Sequence, residues 1–177
     1  MELKTLRLIV ALGAVLASAG CMIASLLTWI SLSDGTGGTT SISGWGGITG
    51  GQIDGQNIND AMAGFATYRP GALSVVIGGL ALLAAFGIAL VARGDKPHRI
   101  PAAVLSLCGL GGLAWGIFRG VSPGDLAGVL GSGEGSSGPG PWLTAGCSLF
   151  LLAGAVAVFT GVLDPPPPVR RRGIQPR

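Results

Sequence analysis

The chain of 177 residues is 49% hydrophobic and only 11% charged, with a formal net charge of +3. About a quarter of the residues in an ordinary soluble domain are charged, so this composition excludes a water-soluble globular surface. The 33 glycines and 11 prolines do not indicate disorder, because a mean hydropathy of +0.64 is too apolar for a disordered chain. The composition predicts a membrane protein.

Four apolar runs without charged residues each approach the length of about 20 residues that crosses a hydrocarbon core about 30 Å thick. We expect transmembrane helices at about 8–30, 72–92, 100–118 and 142–163. Asp164 and the four prolines after it end the last run, because proline cannot continue a helix. The predicted fold class is an all-α membrane protein, with a four-transmembrane-helix bundle in 1–164 and a Pro/Arg-rich cytoplasmic tail in 165–177.

The positions of Lys and Arg predict the orientation, because cytoplasmic segments are enriched in both. With both termini cytoplasmic, nine of the 11 lie inside, and only Arg69 and Arg119 lie outside. We therefore expect a multi-pass protein of the plasma (inner) membrane. This topology explains the basic excess, so no nucleic-acid partner is expected. Four aromatic residues near the predicted outer helix ends are expected to be interfacial anchors: Trp29, Tyr68, Trp115 and Trp142.

The first helix has one alternative interpretation. The run Ser18-Ala19-Gly20-Cys21 is similar to a lipoprotein cleavage box, and cleavage there would remove the first helix. However, Ser18 stands where a Leu-like residue is usual, and the apolar run continues beyond Cys21. An uncleaved first helix is therefore the preferred interpretation.

The loop between the first two helices is long and Gly-rich. Residues 39–45 include strand-forming types, and Asp54-Gly55 is typical of a tight turn, so we expect a small outer hairpin. Asn59 or Asp60 is expected to cap a short helix. The second outer loop, 120–141, has the composition of a flexible linker and is expected to be mobile unless a partner holds it.

The two halves of the chain share one short pattern. Tyr68-Arg69-Pro70-Gly71-Ala72-Leu73 opens the second predicted helix, and Gly138-Pro139-Gly140-Pro141-Trp142-Leu143 opens the fourth. Each half is a helix, an outer loop and a helix, so a repeat would relate the halves by an axis along the membrane normal. The common use of Pro and Gly before a helix explains most of this similarity.

Small residues at four-residue spacing lie on one helix face and allow two backbones to approach closely. The third helix carries Gly112, Gly116 and Gly120, and the first carries Gly13 and Ala17. These residues are predicted to form helix-packing or partner interfaces, either within this chain or with a separate subunit. The alternative is that such stripes arise by chance in a chain so rich in glycine.

No constellation for catalysis, metal or cofactor binding is found. The single histidine, His98, lies in a short cytoplasmic loop, and the three cysteines lie in different helices, where we interpret them as small packing residues. The predicted spans contain no ionisable residue of the kind that marks a substrate path. We expect no enzyme activity and no cofactor, and the sequence identifies no small-molecule substrate. The tail arginines are expected to contact lipid headgroups or a partner, or only to determine topology: Arg170, Arg171 and Arg172.

The layout resembles that of small four-helix membrane proteins of actinobacteria. Four short motifs carry the resemblance: Leu27-Thr28-Trp29, Ser43-Gly44-Trp45-Gly46, Asp54-Gly55 and Arg69-Pro70-Gly71. Within that group it resembles the tryptophan-operon-associated membrane proteins, which have no settled activity, or the accessory subunit of the mycobacterial Mce-type lipid importer, which implies a helper role beside a permease. The claudin layout is similar, but this loop has no cysteines, which argues against a disulfide-pinned claudin sheet.

These features predict a non-catalytic accessory or stabilising subunit of a larger cell-envelope membrane complex, with lipid transport as the preferred context. Its expected partners are membrane lipids and other integral membrane subunits. The alternative function is a small self-associating transporter or channel, because a four-helix chain of this size has to oligomerise to form a pore. A membrane-embedded enzyme ranks third.

Overall fold

A computed structural model of the protein describes residues 3–33, 38–51, 54–61, 67–91, 99–123 and 135–163. Helices account for most of these residues. A short helix, α2, spans Ile58–Ala61. The four long helices are α1 (Leu3–Ala24), α3 (Pro70–Val91), α4 (Arg99–Val121) and α5 (Pro139–Phe159).

The four long helices are each long and apolar enough to cross a membrane. Their membrane-crossing segments contain 20 to 23 residues, with mean hydropathies between 1.7 and 2.5. At 1.5 Å per residue, about 20 residues match a hydrocarbon core about 30 Å thick. The structure therefore has the predicted four helices of membrane-spanning length and hydropathy, as a multi-pass membrane protein requires.

Two of the predicted spans extend beyond the observed helices. The first was expected to reach Ile30, but α1 ends at Ala24, and Thr28–Ser33 is a β-strand. Successive turn hydrogen bonds, from Ser25 N to Met22 O and from Leu26 N to Ile23 O, redirect the chain at this point. The fourth was expected to reach 163, but α5 ends at Phe159. Both predicted ends lie too far along the chain, because the residues that follow each helix are also apolar.

A four-stranded antiparallel sheet lies at one end of the long helices. Its strands are β1 (Thr28–Ser33), β2 (Thr39–Ser43), β3 (Ile48–Thr49) and β4 (Gly135–Ser137), in the order β3-β2-β1-β4. A hairpin is present as the pair β2 and β3 within this larger sheet, but its turn is at residues 44–47 and not at the predicted Asp54-Gly55. The fold is therefore not purely helical, which corrects the predicted all-α class.

Local hydrogen bonds agree with the predicted turn and correct the predicted cap. Gly55 has a φ of 78°, as an Asp-Gly turn requires, and the Asp54 side chain also accepts a hydrogen bond of 2.8 Å from Gly50 N. The cap of α2 is Asn57, whose Oδ1 accepts from Asn59 N at 3.0 Å. Asn59 itself therefore lies inside the helix and uses its side chain elsewhere.

The second loop is not wholly a linker. Residues 135–137 pair with β1 as the edge strand β4, and Ile30 lies opposite Ser137 in this register. The expectation of mobility was based on the Gly/Ser content of the loop, which does not prevent a short strand from pairing with an existing edge. Residues 124–134 lie outside the described residues.

Two hydrophobic cores result from this arrangement. The larger core contains residues from all four long helices, many of them alanine, and the smaller core lies at the sheet around Ile30, Ile42 and Ile48. Helix α1 packs against α3 and α5, and α4 packs against the same two helices. Arg7 Nε donates a hydrogen bond of 2.9 Å to Leu163 O, so the start of α1 lies beside the end of α5. We call this end the terminal end and the opposite end the sheet end.

Candidate functional site

The predicted glycine face of α4 packs against α5 of the same chain. Gly112, Gly116 and Gly120 are all buried. A Cβ added to Gly116 would lie 2.6 Å from Pro141 O and 2.7 Å from Ala145 N, both backbone atoms. The absence of a side chain therefore brings the α4 and α5 backbones together, as small residues do in membrane helix pairs.

The predicted face of α1 is only partly used. Ala17 is buried in the larger core. Gly13 is exposed, and a Cβ added there would meet no atom within 4 Å, so Gly13 packs against no other described residue. The close approach on this helix is at Gly20 instead, where an added Cβ would collide with Cys147 Sγ on α5. Gly20 was not singled out from the sequence, because glycine is frequent throughout the chain.

The four predicted interfacial aromatics all lie at the sheet end, but their environments differ. Trp142 is 49% exposed, and Trp115 is half-buried and donates a hydrogen bond of 3.1 Å from Nε1 to Pro70 O. Trp29 is only 1% exposed, so it has no surface for lipid headgroups, which corrects its prediction as an anchor. Tyr68 is also buried, at 8% exposure. Trp29 became part of the interior because the chain after α1 folds into the sheet.

Trp29 joins the sheet to the end of α1. Its indole Nε1 donates a hydrogen bond of 2.9 Å to Ala24 O, and its backbone oxygen accepts one of 3.0 Å from Gly138 N. The first bond satisfies one of the carbonyls that a helix end leaves without an intrahelical partner. A single buried residue therefore connects α1, β1 and the residue before α5, through its side chain to α1 and through its backbone to Gly138.

The start of α3 is attached to the same region by backbone contacts. Gly44 N donates to Leu27 O at 3.2 Å, and Gly71 N donates to Gly44 O at 2.9 Å. A Cβ on Gly71 would lie 2.8 Å from Ser25 O, so the close approach requires glycine. These bonds hold the sheet in a defined position on the long helices.

Tyr68 is held in place by Asn59. Its backbone N–H donates to Asn59 Oδ1 at 2.6 Å, and its backbone oxygen accepts from Asn59 Nδ2 at 3.2 Å. Its hydroxyl is buried and has no hydrogen-bond partner among the described residues. Burial raises the pKa of Tyr68 above its ordinary value of 10.0, and the nearby Arg119 charge partly offsets this rise.

A groove of about 490 Å³ opens beside Tyr68, between α3 and α4 at the sheet end. The Arg119 guanidinium lies 5.5 Å from the Tyr68 ring centroid and 5.6 Å from that of Trp115, in cation–π geometry. Arg69, which is exposed, also lines the groove. We call this the basic groove; its lining residues are Thr67, Tyr68, Arg69, Pro70, Ala72, Leu73, Val76, Trp115 and Arg119.

A second groove, of about 350 Å³, lies between α1 and α3 at the same end. Trp45 forms one wall, and its Nε1 donates a hydrogen bond of 3.2 Å to Ser25 Oγ. We call this the apolar groove; its lining residues are Met22, Ile23, Ser25, Leu26, Trp45 and Val75. The sequence gives no signal for either groove, because each is assembled from residues distant in the chain.

The described residues contain no group of three or more His, Cys, Asp or Glu side chains that could hold a metal ion. Cys21, Cys108 and Cys147 are free thiols within the long helices. His98 and the predicted tail contacts lie outside the described residues, so the structure does not place them: Arg170, Arg171 and Arg172.

No protein-family model matches the chain, and a comparison with curated proteins finds no match either.

Proposed function

We propose that the protein is a non-catalytic accessory or stabilising subunit of a larger cell-envelope membrane complex, with lipid transport as its context. In this proposal the four long helices form a bundle in the plasma (inner) membrane. Both termini and the tail at 165–177 are cytoplasmic, and the sheet lies outside. The excess of Lys and Arg in the predicted inner segments supports this orientation. The resemblance to an importer accessory subunit supports the lipid context.

The apolar groove is the observation that carries the proposal. Leu26 and Ile23, on its α1 side, are 68% and 55% exposed, and the Trp45 ring beside them is oriented by its hydrogen bond to Ser25. Exposed aromatic and aliphatic side chains around a groove provide the anchors that partner interfaces use. The groove also lies directly beside the anchored sheet. In this proposal, a transmembrane helix of the partner subunit packs into the apolar groove. The extracytoplasmic part of the same partner contacts the sheet.

Site-specific photo-crosslinking tests this proposal. A photoreactive residue at position 26, in the apolar groove, is compared with one at position 150 on α5, where Phe150 has a similar exposure of 70%. We expect position 26, but not position 150, to crosslink to a different integral membrane protein in intact cells. A crosslink from position 26 to a second copy of this chain would favour the self-associating alternative. Lipid adducts alone at both positions would contradict the accessory role.

The orientation is tested separately by cysteine labelling. In a variant without the three native cysteines, Thr39→Cys at the sheet end and Ile100→Cys at the terminal end of α4 give two exposed reporters. We expect a membrane-impermeant reagent to label position 39 in intact cells, and position 100 only after permeabilisation. Labelling of position 100 in intact cells would invert the proposed topology.

A further inference from the structure

The basic groove combines positive charge with an apolar floor at one end of two helices that are long enough to cross a membrane. The described residues that line it include Arg69 and Arg119 and no acidic residue. Arg119 lies in the last turn of α4, and Arg69 immediately precedes α3. Both guanidinium groups therefore lie at the ends of helices that are long enough to span a membrane, where phosphate groups of lipids are found.

The guanidinium of Arg119 is already held in position. Its stacking over the rings of Tyr68 and Trp115 restricts the side chain before any ligand binds. A planar guanidinium matches the geometry of a phosphate and is weakly hydrated, so it is well suited to this role. Because the side chain is preorganised, less conformational entropy is lost on binding.

Tyr68 forms an enclosed aromatic wall of the groove beside Arg119. Its side chain is only 8% exposed, and its hydroxyl oxygen is buried and so not accessible to a ligand. The Tyr68 ring therefore contributes to the site by supporting the Arg119 guanidinium.

The floor of the groove continues towards the middle of the membrane as an apolar surface. Leu73 and Val76 are 42% and 55% exposed and lie one turn apart on α3. On α4, Gly111 lies one turn below Trp115, and a Cβ added there would meet no atom within 4 Å. We call the open space at Gly111 the notch. A Cβ added to the neighbouring Gly112 would lie 3.3 Å from Ile77 Cγ2, so the notch lies at about the same level along the helices as Val76.

We propose that the basic groove binds one anionic phospholipid from the leaflet at the sheet end. The phosphate lies between Arg69 and Arg119, and one acyl chain crosses Leu73 and Val76 towards the notch at Gly111. This site goes beyond the proposed accessory role and does not depend on it, because that role is argued from a different groove.

Native mass spectrometry of the full chain in mild detergent tests the charge requirement. With added phosphatidylglycerol, we expect the wild type to retain one lipid more tightly than it retains phosphatidylcholine. Arg69→Gln and Arg119→Gln should each weaken retention of phosphatidylglycerol about fivefold, equivalent to about 1 kcal/mol for one basic residue near an anionic lipid surface. Arg99→Gln makes the same change of charge at the opposite end of α4 and should leave retention unchanged.

The acyl-chain path is tested without altering charge. Gly111→Leu fills the open notch and should lower phosphatidylglycerol retention, although its Cβ meets no protein atom within 4 Å. Gly146→Leu on α5, also without an atom within 4 Å of the added Cβ, is the matched control and should retain the lipid. Equal retention by the wild type and the Arg69→Gln/Arg119→Gln double variant would overturn the proposal. Displacement of the lipid by millimolar inorganic phosphate would also overturn it, since the site would then recognise free phosphate.

Discussion

Replacing Gly116 by alanine should push α5 locally away from α4. The added Cβ would lie 2.6 Å from Pro141 O, 2.7 Å from Ala145 N and 2.9 Å from Ala145 Cβ. Carbon atoms in ordinary contact are about 3.5–4.0 Å apart, so α5 has to move by about 1 Å locally. None of these three atoms belongs to a flexible side chain that can rotate away.

The size of the effect follows from two opposing contributions. Alanine is favoured over glycine inside a helix by about 1 kcal/mol, which stabilises any tolerated substitution. Overpacking a close contact costs about 1–3 kcal/mol. At Gly111, where an added Cβ meets nothing within 4 Å, only the first contribution applies. We therefore expect Gly116→Ala to be about 2 kcal/mol less stable than Gly111→Ala.

Thermal unfolding of the purified variants in one detergent measures this difference. About 2 kcal/mol corresponds to a difference in Tm of about 4–8 °C for a chain of this size. Gly112→Ala should fall between the two, because its added Cβ meets the side chains of Ser148 and Ile77 and no backbone atom among the nearest contacts. If Gly116→Ala melts at or above the temperature of Gly111→Ala, close α4–α5 packing is not what this glycine provides, and the reasoning fails.

Three further predictions concern the junction, the buried phenol and the thiols. Trp29→Phe removes the indole bond to Ala24 O and should destabilise the protein by about 1–3 kcal/mol in the same assay, so an unchanged Tm would contradict the role of this bond. Tyr68 is the only tyrosine, so near-ultraviolet phenolate absorbance reports it alone. Its folded pKa is raised, so the unfolded state ionises first; stability should fall as pH rises above about 10 and approaches the folded pKa, and Tyr68→Phe should lack this loss. Replacing Cys21, Cys108 and Cys147 together by Ser or Ala should leave expression and any deletion phenotype intact, whereas loss of that phenotype at normal protein levels would indicate a redox role.

The number of helices long and apolar enough to span a membrane could be predicted, because it depends only on the number and lengths of the apolar runs. A run of about 20 apolar residues has few ways to satisfy its backbone in lipid other than as a helix. The predicted start of the second span at 72 lies two residues after Pro70, at which α3 begins, because proline at the first helical position leaves no N–H without a partner. The lengths and approximate positions of the long helices therefore required no knowledge of tertiary contacts.

The end of α1 could not be predicted in the same way. Trp29, Ile30 and Leu32 extend the apolar run after Ala24, and periodicity cannot distinguish a short buried strand from the continuation of a helix. Their burial depends on β2 and β4, which come from two different loops. The same error assigned Trp29 to the membrane interface, because an aromatic residue at a helix end and one inside a sheet are alike in sequence.

The glycine patterns show a similar limit. Spacing predicted which residues share a face, and Gly112, Gly116 and Gly120 do lie together against α5. Spacing does not say whether a face meets another helix, and Gly13 on a comparable face meets none among the described residues. The neighbour of a face is determined by the order of helices around the core, which the sequence of a single chain does not encode locally.

The repeated Pro-Gly pair has a physical explanation in the structure. An added Cβ on Gly71 would lie 2.8 Å from Ser25 O, and one on Gly140 would lie 3.0 Å from Ala24 O, so both glycines lie against carbonyls at the end of α1. In each pair the proline begins a helix without an unsatisfied N–H, and the glycine allows the backbone to approach α1. The two halves are therefore alike at this point because α3 and α5 meet the same constraint on either side of one helix end. Shared geometry is enough to produce the pattern, and no duplication of the chain is required to account for it.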